Sequence, residues 1–350
     1  MVKKTGPYIG VTGFMSNAEV SAALTLVPHD SVRRLMVGIL MSYQTLSNDR
    51  NELPNRYPKK EEITDIFVDH PQALNLIHYR TDHPETLLEQ LIYITELAGP
   101  HLDGFQLNIA WPPIPQLKAY REAYPDTFLV LQISSNALAR TKSTEQFEAL
   151  VCSYSGAIDA ILIDSSDGKG EPFDAMQCVE YLHAAHACRP FGLGVAGGLG
   201  PNTLHLLDLL IEGFPELSID AEGQLRTQKP EDALCLSSVR TYLEDAFPIL
   251  AGKRLPGIKL RKWSLPYGIE EHVRYYDGTG TNMLRTEHVA QPSALQAGDI
   301  LATGDKLLSP PREAGNGGVW LHLSGGRDGH WIDVPARIPL ALQSEAMTDL

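Results

Sequence analysis

The unit that decides the fold begins with Ala160-Ile-Leu-Ile-Asp164 and ends with Phe191-Gly-Leu-Gly-Val195. Neither stretch alternates between apolar and polar residues, which is typical of parallel strands that are buried on both faces. The first stretch is followed by a helical pattern that fills most of the distance to the second. The unit is therefore predicted to be a strand, a crossover helix and a second, parallel strand.

The same unit recurs on both sides of this stretch. Eight strand-like segments, each followed by a helical pattern, predict a (β/α)8 barrel, an α/β fold also called a TIM barrel. An open doubly wound sheet has the same alternation, but it favours a GxGxxG motif after its first strand, and Gly10-Val-Thr-Gly13 lacks that form. The predicted strands are 8–12, 34–41, 74–79, 104–109, 128–133, 160–163, 191–195 and 217–219.

The pattern changes after Pro256, where short aromatic runs are separated by turn pairs such as Asp277-Gly278 and Asp328-Gly329. These features predict a small all-β domain, an antiparallel barrel or sandwich. We therefore expect two domains, the barrel at residues 1–250 and the β-rich domain at residues 258–350. Neither the spacing nor the charge of the second domain indicates its role.

The composition excludes several classes of function. The net charge is −14, which makes nucleic-acid binding unlikely because such binding needs a surplus of Lys and Arg. The chain has no apolar stretch of membrane-spanning length, and no signal-peptide core follows Lys3 and Lys4, so we expect a cytoplasmic protein without membrane contact. The sequence is also compatible with a homo-oligomer. Without CxxC spacing, free thiols and no metal site are expected at Cys152, Cys178, Cys188 and Cys235.

Polar residues follow the predicted strands at the end where parallel barrels carry their reacting groups. Asp164 is the foremost candidate, because it ends an apolar run and precedes a loop that contains Gly168 and Gly170. A partly desolvated carboxyl group there can act as a general acid or base, although it could instead only cap the following turn. The other candidates at strand ends are Thr12, Ser42, His78, Asn108, Gln132–Ser134 and Asp220.

A second element is the pair Gly197-Gly198 at the end of the seventh strand. Backbone amides bared by glycine, together with a helix that Pro201 can begin, would form an anion site. Barrel enzymes often hold phosphate between the loops after strands seven and eight. The alternative interpretation is a tight turn.

Several motifs, in the right order along the barrel, resemble those of phosphoribosylanthranilate isomerase. The motifs are Val11-Thr-Gly13, Phe105-Gln-Leu-Asn108, Ile161-Leu-Ile-Asp-Ser165 with Gly168-Lys-Gly170 and Phe173-Asp174, and Val195-Ala-Gly-Gly-Leu-Gly-Pro-Asn202.

This resemblance implies that Asp164 is the general acid that protonates the ribose ring oxygen, and that Gly197-Gly198 binds phosphate. The family's base is a cysteine at the end of strand one, where this chain has Thr12. His78 is a candidate for the missing base, since histidine titrates near neutrality. Asn108 stands in place of a family histidine. On strand eight, the carboxylate of Asp220 would repel a bound phosphate unless the carboxylate is protonated or turned away from it.

Two functional hypotheses follow. The first is an isomerase-like enzyme without a cofactor, acting on a small phosphorylated sugar or phosphoribosyl-type metabolite by acid–base chemistry. Its catalytic residues would be Asp164, His78 and Thr12. The alternative is a catalytically inert sugar-phosphate-binding or scaffold protein, because Thr12 replaces the base. The residues expected to bind substrate or phosphate are Gly168, Gly170, Gly197, Gly198, Asn108 and Asp220.

Overall fold

The computed structural model describes residues 5–47, 53, 55–164, 175–188, 191–211 and 213–251, and seven strand segments after residue 251. Eight parallel strands form a closed barrel in sequence order, with β8 pairing back to β1, so the predicted TIM barrel is confirmed. The strands are β1 (Tyr8–Thr12), β2 (Arg34–Ser42), β3 (Ala73–Arg80), β4 (Gly104–Leu107), β5 (Phe128–Ser134), β6 (Ala160–Asp164), β7 (Gly192–Ala196) and β8 (Ser218–Ala221).

The strands are apolar because both of their faces are buried. Successive side chains point to opposite faces of a strand, so one set fills the barrel interior and the other packs against the helices. Met36, Val130 and Leu162 belong to the interior cluster, whereas Val37 and Ile163 belong to the outer core. This double burial explains why the sequence shows continuous apolar runs rather than alternation.

Helices and short 3₁₀ segments connect the strands. The first helix begins as predicted, with Ser16 and Glu19 forming a reciprocal capping box. The helices are α1 (Asn17–Leu24), α2 (Tyr43–Ser47), α3 (Ile63–Ile66), α4 (Leu87–Ala98), α5 (Ile114–Ala123), α6 (Ser135–Leu138), α7 (Thr144–Ser153), α8 (Ala175–Ala187), α9 (Asp208–Ile211) and α10 (Leu236–Leu250). Of the described helices, none is both long and apolar enough to cross a membrane.

The segment after β7 differs from the prediction that Pro201 begins a helix. The first helical residues are the 3₁₀ segment Leu204–Leu207, which precedes the single turn α9. The Thr203 hydroxyl donates towards the carbonyl oxygens of Gly198 and Gly200. This turn closes on itself before any helix starts, so the predicted helix N-terminus at the glycine pair is wrong.

Seven further strands lie in the C-terminal part of the chain. Contacts divide the chain into the units Met1–Ala251 and Gly252–Leu350, and residues 252–261 lie outside the described residues, so the boundaries at 250 and 258 stay a prediction. Strands β10–β11 and β13–β14–β15 pair antiparallel, whereas β9 and β12 pair parallel. The strands are β9 (Lys262–Trp263), β10 (Ile269–Tyr275), β11 (Met283–Val289), β12 (Ile300–Leu301), β13 (Arg312–Glu313), β14 (Val319–Leu323) and β15 (His330–Val334).

Two of the four cysteines form a disulfide, so the expectation of free thiols is wrong for them. Cys152 of α7 bonds to Cys188, which follows α8, and their Cα atoms are 4.9 Å apart. Cys178 and Cys235 are free, as expected. No sequence pattern indicates this pair, because the two cysteines come close only when α7 and α8 pack side by side around the barrel.

We expect the double variant Cys152→Ser/Cys188→Ser to lose roughly 4 kcal/mol of unfolding free energy, by loop-closure entropy for a sequence separation of 36. Urea denaturation measures the loss, and Cys235→Ser, at a partly exposed free thiol, is the control. Equal stability of the wild-type protein with and without a reductant would contradict the bridge.

Gly38 allows β1 and β2 to approach each other closely. A Cβ atom at this position would lie 2.9 Å from the Cα atom of Thr12, and it would also collide with the Thr12 hydroxyl. We expect Gly38→Ala to destabilise the barrel by about 1–3 kcal/mol, because backbone atoms must move. Gly223→Ala is the matched control, since nothing lies within 4 Å of its added Cβ. Equal denaturation midpoints for the two variants would contradict the packing.

Candidate functional site

A ring of buried polar side chains lies at the C-terminal end of the barrel interior. The interior positions of the strands carry apolar side chains lower down, such as Leu76, Val130 and Leu162. Two residues further along the same strands, the same face carries polar groups. The members of this ring are Thr12, His78, Gln106, Gln132, Asp164 and Asp220, all of them buried.

Asp220 is held by donors from both sides of the barrel. The Thr12 hydroxyl on neighbouring β1 lies 3.0 Å from each carboxylate oxygen, and the Gln106 amide donates to Oδ2 at 2.9 Å. Strands β4 and β8 lie opposite each other in the closed barrel. The bond between Gln106 and Asp220 therefore spans the interior and closes it with polar groups.

The same amide extends the network to the second aspartate. Gln106 Nε2 also donates to Gln132 Oε1 at 3.1 Å, and Gln132 Nε2 donates to Asp164 Oδ2 at 2.7 Å. Two buried carboxyl groups are thus joined through two glutamine amides. We name the group Thr12, Asp220, Gln106, Gln132 and Asp164 the carboxylate network.

Burial raises the pKa of Asp220 to about 7. The hydrogen bonds from Gln106 and Thr12 act in the opposite direction, while the negative charges of Glu222 and Asp164 raise the pKa further. A carboxyl group of ordinary pKa would be fully ionised near neutral pH. With this raised pKa, Asp220 is only partly ionised near neutral pH, which is a condition that general acid–base chemistry requires.

His78 is neutral at physiological pH. Burial lowers its pKa to about 4, against the charge of Asp164, which raises it. The expectation that this imidazole titrates near neutrality is therefore wrong, because desolvation disfavours the charged form. Its Nδ1 atom and the neighbouring Gln106 Oε1 are buried and have no partner within the described part of the chain.

Apart from Gly197 and Gly198, the predicted site residues separate into three groups. Thr12, His78, Asp164 and Asp220 lie together in the ring; the Thr12 hydroxyl positions Asp220 rather than standing free as a base. Asn108 follows the end of β4 and lines a cavity at the mouth instead. Gly168 and Gly170, which were expected to bind phosphate, lie outside the described residues.

The glycine pair after β7 adopts a special backbone conformation. Gly197 and Gly198 have φ values of +95° and +70°, in the left-handed region that favours glycine. The backbone therefore requires glycine at these two positions. This requirement agrees with both interpretations of the pair, a tight turn and an anion-binding loop. The anion-binding interpretation was based on bared backbone amides and on a helix N-terminus. Only the amides remain, because no helix begins at Pro201.

Glu222, just beyond β8, belongs to an ionic cluster with partners of opposite charge. Arg56 Nη1 lies 2.8 Å from its carboxylate, and Arg56 Nε lies 2.6 Å from Asp232. Arg226 also pairs with Asp232, at 3.1 Å. The charge that β8 brings to the mouth is therefore balanced locally. Across the described residues, no group of three or more His, Cys, Asp or Glu side chains is arranged to hold a metal ion.

Sequence reasoning missed the central role of Gln106. The motif that resembles the isomerase directed attention to Asn108, which follows the end of β4. Gln106 comes two residues earlier and lies deeper in the barrel interior. Its partner on β8 is 114 residues away, so no local pattern indicates the bond. The available signal was the alternation itself, because a glutamine on the interior face of a barrel strand needs a polar partner.

The pH dependence of stability tests the buried carboxyl group. The folded pKa of Asp220, about 7, lies above its ordinary value of 3.8. Its contribution to stability is thus fully present below about pH 4 and is lost as pH rises to about 7. Relative to Asp220→Asn, the wild-type protein should lose about 1.4 kcal/mol per pH unit across that window.

Urea denaturation over the window measures this difference, and the exposed Asp126→Asn is the control. A constant difference between wild type and Asp220→Asn would contradict the raised pKa.

No protein-family model and no curated protein matches this chain. Among solved structures, the catalytic domain of a hyperthermophilic chitinase from Pyrococcus furiosus is similar at 11% identity and a TM-score of 0.46, over 72% of this chain and 99% of that chain. The carboxyl transferase domain of Rhizobium etli pyruvate carboxylase is similar at 10% identity and a TM-score of 0.44, over 68% of this chain and 46% of that chain. Similarities with TM-scores below 0.5 support no conclusion about activity. The assignment of the barrel depends on the strand pairing itself.

Proposed function

We propose that the barrel is an acid–base enzyme that acts at its C-terminal face on a small phosphorylated sugar. The observation that carries this proposal is the carboxylate network, in which two buried aspartates are linked across the interior. Burial raises the pKa of Asp220 to about 7, and neighbouring buried carboxyl groups can share a proton between them and act as acid and base. A purely structural interior would be filled more simply with apolar side chains.

Asp164 is the residue that gives a proton to the substrate. It is the last residue of β6 and is 8% exposed, against 4% for Asp220. Its carboxyl group would protonate the ring oxygen of the sugar while the bond from that oxygen to the anomeric carbon breaks and its electron pair moves to oxygen. Gln132 holds Asp164 in place through its amide.

His78 is the group that takes the proton from carbon. An isomerisation consumes no net proton, so a proton given to oxygen is balanced by one removed from the neighbouring carbon. When Asp164 has given up its proton, its negative charge raises the pKa of His78. This charge acts against the burial that lowers the pKa of His78 to about 4, and so it favours uptake of the proton by the imidazole at that step. Thr12 and Asp220 lie deeper in the barrel and hold Gln106 in position through their hydrogen bonds.

The test is solvent exchange of the sugar proton. We expect the wild-type protein to exchange the proton beside the carbonyl carbon of a pentose phosphate in D2O, as measured by proton NMR. Asp164→Asn and His78→Gln should slow this exchange by about 10²-fold or more, and Asp126→Asn should leave it unchanged. Full activity of Asp164→Asn would contradict the mechanism.

The inert alternative has a distinct outcome. It is favoured by the Thr12 hydroxyl, which is engaged by Asp220 and supplies no base. A wild-type protein that binds pentose phosphates, but exchanges no carbon-bound proton in any of them, would support a binding protein instead of an enzyme.

A further inference from the structure

A polar cavity of about 380 Å³ lies at the C-terminal ends of β3, β4 and β5. Arg80, Asn108 and Ser134 line it from the three strand ends, and Asn136 and Arg140 line it from the segment after β5. None of the motifs that resemble the isomerase includes Arg80, Ser134, Asn136 or Arg140. The cavity needs an explanation of its own.

This cavity sits one side-chain layer above the polar ring. Arg80 and Ser134 come two residues after His78 and Gln132 on β3 and β5, and Asn108 comes two residues after Gln106, just past the end of β4. Because side chains two apart on a strand share a face, Arg80 stands above His78 and Ser134 stands above Gln132. The backbone N–H of Asn108 donates to the Tyr79 carbonyl oxygen at 2.9 Å, which continues the hydrogen bonding between β3 and β4 by one residue. A ligand in the cavity would therefore lie next to the proposed reacting groups.

The guanidinium groups of the cavity are less closely paired with oxygen atoms than those of two other arginines of the barrel. Arg121 is 2.7 Å from Asp159, and Arg33 donates to three backbone carbonyls. Arg80, by contrast, has Asp82 only at 3.9 Å, with both side chains largely exposed. Exposed Arg140 forms no salt bridge within the described residues. Asp82 also lines the cavity, so its described lining has two arginines against one carboxylate. The cavity therefore carries a net positive charge on a chain whose net charge is −14.

The polar groups around these arginines suit an oxyanion. Guanidinium groups bind phosphate through paired, charge-assisted hydrogen bonds. The Ser134 oxygen accepts the Ala137 amide at 3.3 Å, which leaves its own hydrogen to donate. The side-chain amides of Asn108 and Asn136 add further donors. From this combination we infer that the phosphate group of the substrate binds between Arg80 and Arg140, an assignment that rests on the proposed function.

The inference moves the phosphate away from the glycine pair after β7. No helix starts at that pair, and Thr203 turns the chain back on itself there. Gly200 also packs so tightly against the segment after β8 that a Cβ atom on it would lie 2.5 Å from the Cβ atom of Gln224. The β3–β5 side offers both space and positive charge.

Binding of inorganic phosphate to the full-length protein tests the site without requiring turnover. Isothermal titration calorimetry at low ionic strength should show about tenfold or greater loss of affinity in Arg80→Gln and in Arg140→Gln. Arg240→Gln is the matched control and should bind like the wild type, because the Arg240 side chain is exposed on α10 and paired with Glu244. Undiminished affinity in Arg80→Gln/Arg140→Gln would overturn the assignment.

Amide chemical shifts locate the ion independently of any substitution. Phosphate should shift amides near Arg80, Asn108 and Ser134 in the wild-type protein, and shifts confined to residues 197–203 would overturn the inference. The proposed function fails separately from the site: phosphate binding that needs both arginines, without any proton exchange in pentose phosphates, keeps the site and removes the acid–base role. Exchange with an unchanged KM in the double variant keeps the function and removes the site.

Discussion

The hydrogen bond from Gln106 to Asp220 across the barrel interior is the constraint on which the rest of the site depends. A carboxylate buried without partners would be prohibitively unstable, so the barrel must bring donors to it from both sides. Thr12 supplies one from the adjacent strand and Gln106 supplies the other from the opposite strand. Gly38 is needed as a consequence, because a side chain there would occupy the space of Thr12.

The same burial gives the site its acid–base character. Desolvation raises the pKa of Asp220 and lowers that of His78, since it disfavours the charged form of each group. At neutral pH the ring therefore contains a neutral imidazole and a carboxyl group poised between its two forms. Gln132 connects this interior to Asp164 at the end of β6, where the proposed substrate would receive its proton. Arg80 and Arg140, which line the cavity at the ends of β3 to β5, would extend this arrangement to the anionic ligand that we propose.

Much of the fold and part of the site could be predicted from the sequence. Eight continuous apolar runs follow from strands buried on both faces, and the rule that reacting groups follow strand ends placed Asp164, His78, Thr12 and Asp220 correctly near one another. The prediction failed where the outcome depends on contacts distant in sequence. The bond between Cys152 and Cys188 requires that α7 and α8 pack together, and Gln106 has its partner on the opposite strand. The low pKa of His78 likewise depends on burial, which residue type alone does not reveal.

The most direct test of this account is a carbon-13 NMR titration of the aspartate carboxyl groups in the wild-type protein and in Asp220→Asn. The account predicts one carboxyl signal that titrates with a pKa of about 7 and is missing from the variant. If every aspartate signal of the wild-type protein titrates near the ordinary value of about 4, Asp220 holds no proton near neutrality and the central claim is wrong.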